Sequence, residues 1–166
     1  MIETPPVAVA PEAIPDPAPR TRLRVLIVED SEDSALMVVQ VLKRGGFEVM
    51  HERVDTAEAM RAALASGVWD FVLSDHWMPD FDVFKALEVR RHCAPDLPFI
   101  IVSGVIDEEA AVKAMRMGAA DYVMQDNPAR LVPAVQRELR DRHVRVQRKR
   151  GERGPRGAEP RVAGWP

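Results

Sequence analysis

Cys93 is the only cysteine among 166 residues, so no internal disulfide can form. A lone thiol fits a reducing compartment. Long apolar runs are also missing, and no stretch approaches the ~20 residues that span a bilayer. Met1 to Pro19 has neither a basic n-region nor an uninterrupted apolar stretch, which argues against a secretory signal. A soluble, cytoplasmic chain without a membrane partner is expected. Aromatic residues make up only 5% of the sequence and are not interleaved with the basic ones. With no recognised nucleic-acid motif either, no nucleic-acid partner is expected. A P-loop glycine-lysine pattern is absent, which argues against nucleotide hydrolysis. The net charge of −3 is too small to single out a partner.

What is present suits a single packed domain with tails. The hydrophobic fraction is 46% and the charged fraction 30%. Prolines at positions 5, 6, 11, 15, 17 and 19 predict a disordered or polyproline-like arm over residues 1–21. From Leu23 the pattern alternates. Val25-Leu26-Ile27-Val28 is a short β-branched run of the kind buried on both faces of a sheet. Ser31 to Arg44 reads as a helix with Leu36, Val39 and Leu42 turned inward, stopped by Gly45-Gly46. The same strand-then-helix unit recurs. Phe47 to Arg53, a less apolar strand nearer an edge, is followed by a helix capped by Thr56 with Ala57, Met60 and Leu64 on one face. Phe71 to Ser74 is followed by a helix over Phe84 to His92. Phe99 to Val102 is followed by a helix over Glu108 to Met117. Asp121 to Met124 is followed by a helix from Ala129 or Pro133 toward Arg150. Five such units predict an α/β fold: a doubly wound, five-stranded parallel sheet with helices on both faces.

In such folds ligands sit at the carboxyl ends of the strands. Those ends carry Glu29 and Asp30, then Asp75, then Ser103, then the stretch Tyr122 to Gln125. Three carboxylates at one rim repel and raise one another's pKa. A hard divalent cation offsets that repulsion, and an all-oxygen donor set suits Mg²⁺.

The motifs at these strand ends resemble those of response-regulator receiver domains. They are Val25-Leu26-Ile27-Val28-Glu29-Asp30, Asp75-His76-Trp77-Met78-Pro79, Ile101-Val102-Ser103-Gly104 and Gly118-Ala119-Ala120-Asp121-Tyr122. The likeness runs from about Leu23 to Arg140. It is nearest to receivers found in hybrid histidine kinases, on Phe99 to Gly104 and Leu131 to Leu139. The resemblance implies the flavodoxin-like receiver fold and a set of roles. Asp75 would accept a phosphoryl group from a histidine kinase or phosphotransfer protein. Asp30 and Asp75 would ligate Mg²⁺ by side-chain oxygens, Trp77 by its backbone carbonyl, and Glu29 mostly through water. Ser103 would hydrogen-bond a phosphoryl oxygen, and Tyr122 would change rotamer when Ser103 moves.

One departure from the family pattern is informative. Where the family places a lysine at the end of the fifth strand, this chain has Gln125. An amide donates hydrogen bonds but carries no charge, and charge-assisted bonds are roughly twice as strong. Gln125 should therefore weaken transfer or its coupling to the switch, and leave the acids more dependent on Mg²⁺. Lys113 and Lys85 are expected to be solvated rather than substitutes. The proline that follows the family's lysine is replaced by Asp126, and Asn127-Pro128 is expected trans by base rate, with cis left open. Trp77, Phe81 and Phe84 are expected to place aromatic surface or part-buried packing beside the site. A metal role for His76 is not expected.

The last helix is basic, and Leu131, Val135 and Leu139 form its apolar face. It is expected to break at Gly151, with a receiver over residues 22–146 and a basic flexible tail over 147–166. The helix is a candidate homodimer contact. With no output domain after it, the expected function is that of a single-domain response regulator. It would pass phosphorylation of Asp75 to a downstream protein effector by switching its binding surface. It would not be an enzyme beyond self-phosphorylation from small donors and autodephosphorylation. The alternative is a degenerate, phosphorylation-independent receiver serving as an interaction module, which Gln125 favours. A haloacid-dehalogenase-like hydrolase needs a second Asp two residues after the nucleophile, and Trp77 stands there instead.

Overall fold

The computed structural model describes residues 20–105 and 107–152. Strands and helices alternate along them: β1 (Thr21–Val28), α1 (Glu32–Arg44), β2 (Phe47–Val54), α2 (Ala57–Ser66), β3 (Phe71–Ser74), α3 (Val83–Cys93), β4 (Phe99–Ser103), α4 (Glu108–Arg116), β5 (Asp121–Met124) and α5 (Leu131–Glu152), the last entered through a 3-10 turn at Pro128–Arg130. The sheet order is β2-β1-β3-β4-β5 and every pair is parallel. The polar β2 lies at an edge, as its composition suggested.

Strand periodicity divides the core into two. Leu23, Val25 and Ile27 of β1, with Phe71 and Leu73 of β3, pack against Ala35, Val39 and Leu42 of α1 and Leu131 and Val135 of α5. The intervening Leu26, Val28 and Val72 pack against Met60 of α2, Leu87 of α3 and Ala114 of α4. Phe71 and Phe99 are completely enclosed, and truncating either to alanine should cost about 3–5 kcal/mol.

Each of the first four helices starts at a residue whose side-chain oxygen accepts a backbone N–H three positions on. The pairs are Ser31 with Ser34, Thr56 with Ala59, Asp82 with Lys85, and Asp107 with Ala110. Glycines end two of them with positive φ, Gly46 at +93° after α1 and Gly118 at +100° after α4. Gly118 also makes room for the buried Arg90, whose guanidinium donates to the carbonyls of Gly118 at 3.0 Å and Pro95 at 2.8 Å. Asn127–Pro128 is trans.

Three sequence expectations change. Leu36 is 43% exposed, and Ala35 takes the inward position, since it shares a helical stripe with Val39 and Leu42. β1 begins at Thr21, inside the span expected for the arm. α5 runs through Gly151 to Glu152, so residues 147–152 are helical rather than tail. The helix gains anchors that the sequence does not display. Arg142 donates to the carbonyls of Trp69 and Asp70, each at 3.0 Å, and Lys149 meets Asp96 at 2.9 Å. Residues 1–19 of the expected arm and 153–166 of the expected tail lie outside the described residues. No described helix is long and apolar enough to cross a membrane.

Candidate functional site

The sheet order reverses between β1 and β3, so their loops diverge and leave a crevice at the carboxyl ends. Backbone hydrogen bonds carry the ladder one residue past the strands: Glu29 N–H to Val54 O at 3.0 Å, Asp75 N–H to Val28 O at 2.9 Å, and Gln125 N–H to Ser103 O at 2.8 Å. The predicted site residues therefore start from fixed main-chain positions.

Glu29, Asp30 and Asp75 converge, with one carboxylate oxygen from each inside a 4.8 Å cluster. Glu29 is buried, and its side chain turns back to accept the Ser31 N–H at 3.0 Å. Burial raises its pKa from 4.5 to about 7, against the Ser31 hydrogen bond, and the neighbouring Asp30 and Asp75 push the same way. Burial also raises Asp75. The backbone N–H groups of His76 and Trp77 oppose that rise, Asp30 adds to it, and the nearby His76 lowers it. The His76 N–H lies 2.7 Å from the Asp75 carboxylate. Among the described residues none of the three acids has a salt-bridge partner. An all-oxygen cluster that must hold a proton near neutrality fits a hard divalent cation, and Mg²⁺ matches that chemistry.

One basic residue at this rim was not singled out from the sequence. Arg53, at the end of β2, donates to the carbonyl of Glu29 at 2.9 Å and that of Asp30 at 3.4 Å. It also pairs with Asp55 at 3.4 Å. Its acceptors are main-chain atoms, which no residue pattern advertises.

Ser103 is buried at the end of β4, and its hydroxyl lies 3.2 Å from both the carbonyl and the N–H of Val105. The Tyr122 hydroxyl donates to the same Val105 carbonyl at 3.2 Å. The two predicted switch residues thus meet on one backbone group. Tyr122 also packs beside His76 with ring centroids 6.0 Å apart, and His76 meets Phe84 edge-on at 6.0 Å. The Lys113 ammonium lies 4.1 Å over the Phe84 ring, so this lysine has a defined seat rather than only solvent. Lys85 instead reaches the Asp80 carbonyl at 3.4 Å. Phe81, expected beside the site, is buried in the core, whereas Trp77 is 74% exposed. Gln125 lies over Gly104, where an added Cβ would sit 3.0 Å from its amide oxygen.

The family model for the response regulator receiver domain matches residues 25–136. The response regulator protein FleR of Pseudomonas aeruginosa is 36% identical over 107 residues, covering 64% of this chain and 22% of FleR. The chemotaxis protein CheY of Treponema pallidum is 33% identical over 104 residues, covering 61% of this chain and 72% of CheY. A CheY-like receiver-domain structure from Methanospirillum hungatei superposes with a TM-score of 0.65 at 27% identity, covering 75% of this chain and 99% of that one. The chain thus spans about a fifth of the length of FleR. From the matched span, the strand order and the acidic crevice together, this chain belongs to the response regulator receiver domain family.

Proposed function

We propose that the protein is a single-domain response regulator of two-component phosphorelay signalling, in which Asp75 accepts a phosphoryl group with Mg²⁺ and the change is passed to a downstream protein effector. The observation that carries this reading is the convergence of Glu29, Asp30 and Asp75 within 4.8 Å, with Ser103 at the next strand end. Glu29, Asp30, Asp75 and the Trp77 carbonyl would hold the cation. When bound, Mg²⁺ neutralises charge so that an anionic carboxylate can approach an anionic phosphoryl group.

An Asp75 oxygen attacks phosphorus as the phosphorus–nitrogen bond of a phosphohistidine breaks, and the imidazole keeps the electron pair. The His76 and Trp77 N–H groups hold the Asp75 carboxylate in place for attack. The acyl phosphate adds roughly −1.5 to −2 charge, by analogy with other phosphorylated side chains. Ser103 then turns its O–H from Val105 to a phosphoryl oxygen, and Tyr122, which shares that carbonyl, is freed to turn. The donor is a histidine kinase or phosphotransfer protein, with the exposed Trp77 and Val105 offering it apolar contact. A homodimer through α5 belongs to the same reading, with the exposed Val144 offering a second copy apolar contact. The protein works in the cytoplasm, consistent with its free Cys93. It has no enzymatic activity beyond self-phosphorylation and autodephosphorylation.

Gln125 favours a second reading, a phosphorylation-independent receiver used as an interaction module, because no ammonium reaches the site from that position. Transfer from a phosphorylated histidine kinase, followed by radiolabel, separates the two. The first reading expects label on the wild type with Mg²⁺ and none on Asp75→Asn. Label that persists on the Asp75→Asn protein, or never arrives on the wild type, contradicts it.

A further inference from the structure

An open apolar groove lies at the end of the sheet opposite Asp75. It encloses about 310 Å³ and is lined by Leu64, Val68, Trp69, Pro95 and Leu97, with Arg142 at its edge. Val68 and Trp69 precede β3 and Leu97 precedes β4, which fixes the groove at the amino ends of the strands. Val68 is 69% exposed, so apolar surface stands uncovered there. The Trp69 ring is held by its N–H donating to the Ala63 carbonyl at 2.9 Å, so the aromatic wall is preformed.

The edge contributed by α5 is basic. Lys149 pairs with Asp96 at 2.9 Å and Arg142 with Asp70 at 3.6 Å. Lys149 first, and then Arg145 and Arg142, hold the Asp96 carboxyl below its ordinary range. Lys149 and Arg142 already have their own carboxylates, and Arg145 has no ion pair among the described residues, so this one cation is left for an incoming acidic group.

We infer that this groove is the docking site of the chain's own acidic, proline-rich N-terminal segment, Met1 to Pro19. Three facts select this occupant. Its prolines at 5, 6, 11, 15, 17 and 19 suit polyproline II, which docks into aromatic-lined grooves at low ordering cost. Its charges are Glu3, Glu12 and Asp16, with no Lys or Arg before Arg20, complementary to the α5 edge. Its point of attachment is close. Val25 pairs with Phe71, so β1 overhangs the start of β3, and the Arg24 N–H lies 2.7 Å from the carboxylate of Asp70 beside the groove. In polyproline II the segment reaches ~60 Å at ~3.1 Å per residue. The return from Arg20 across the overhang and two strands takes ~25 Å at ~3.3 Å per residue and ~4.8 Å per strand. The rival segment, residues 153–166, carries Arg153, Arg156 and Arg161 against Glu159, the same sign as the groove edge.

The native thiol gives the test, since Cys93 is exposed and adjoins Ala94 in the groove wall. A nitroxide on Cys93 of the full chain, with ¹⁵N-detected relaxation, reads which segment approaches. Docking predicts strong broadening of amide signals between Thr4 and Ala18. Two changes should reduce that broadening to the level of a free tether. One is Val68→Glu in the groove. The other is Glu12→Lys with Asp16→Lys, which lies outside the described residues and should weaken docking about tenfold by reversing the charge at two positions. Equal broadening in wild type and both variants overturns the proposal. Stronger broadening at residues 153–166 overturns it in favour of the tail. Broadening that appears only when ¹⁵N-labelled and spin-labelled copies are mixed overturns docking in cis and assigns the groove to a second copy.

Discussion

Raising the pH of the protein without divalent cation from about 5.5 to about 8 should destabilise it, and Glu29 is the main reason. Its pKa rises from 4.5 in ordinary surroundings to about 7 in the fold. Between those values the folded chain holds a proton that the unfolded chain has released. Stability is therefore fully present below 4.5 and is lost as pH climbs through about 7. Asp75 is shifted in the same direction and adds to the loss. The whole shift has an upper limit of about 3 kcal/mol, of which about 2 kcal/mol falls between pH 5.5 and 8. The crevice is open to solvent at Asp30, so screening reduces the expected loss to about 1 kcal/mol, or about 5 °C in melting temperature. Mg²⁺ needs ionised carboxylates, so its stabilisation should be greatest where the uncomplexed protein is weakest. At one hundred times Kd it amounts to about 2.7 kcal/mol, enough to reverse the pH trend. Thermal or urea melts of the wild type and Glu29→Gln, at both pH values with and without MgCl₂, measure this directly. Glu29→Gln mimics the protonated acid and should flatten the pH dependence. A wild type as stable at pH 8 as at 5.5 without Mg²⁺, an unchanged slope in Glu29→Gln, or no effect of Mg²⁺ on melting would refute the reasoning.

Gln125→Lys adds an ammonium at the end of β5 and should speed acceptance from acetyl phosphate by about tenfold, followed by mass against time, because charge-assisted bonds are roughly twice as strong as neutral ones. It should also lower the Mg²⁺ concentration needed. Gly118→Ala should cost about 2 kcal/mol in urea titration, since φ is +100° and the new Cβ would lie 2.8 Å from the Arg90 guanidinium. Gly46→Ala, at φ +93° but with open space around it, should cost about 1 kcal/mol, from the backbone alone. Tyr122→Phe removes the hydrogen bond to the Val105 carbonyl and should cost about 0.5–1 kcal/mol, while the yield of phosphorylated protein stays unchanged.

Strand runs, caps and glycine stops carried most of the fold in the sequence. Val25 to Val28 and Phe99 to Val102 are apolar at every position because helices cover both sheet faces. Thr56 was legible as a cap, a short polar residue ahead of helical periodicity, and Ser31, Asp82 and Asp107, not singled out as caps from the sequence, act the same way. The strand–helix alternation placed Glu29, Asp30 and Asp75 at one rim of a parallel sheet, and the adjacency of β1 and β3 brings them together. What escaped has a common cause. Leu36 and Ala35 differ by one helical step, about 100°, and side-chain size misled the choice between them. Arg53, Arg90 and Arg142 bind main-chain carbonyls, which carry no residue identity. The seat of Lys113 on Phe84 joins two helices whose relative placement no local pattern encodes. Gly151 reads as a break, but a single helical glycine costs only about 1 kcal/mol, which the flanking turns of α5 outweigh.

Intact mass spectrometry after incubation with acetyl phosphate and Mg²⁺, beside an Asp75→Asn control, tests the central claim most directly. The account predicts one added phosphoryl mass on the wild type, none on the control, and none on the wild type when Mg²⁺ is chelated. An equal gain on both proteins, or no gain on the wild type from either acetyl phosphate or a phosphorylated histidine kinase, would contradict it.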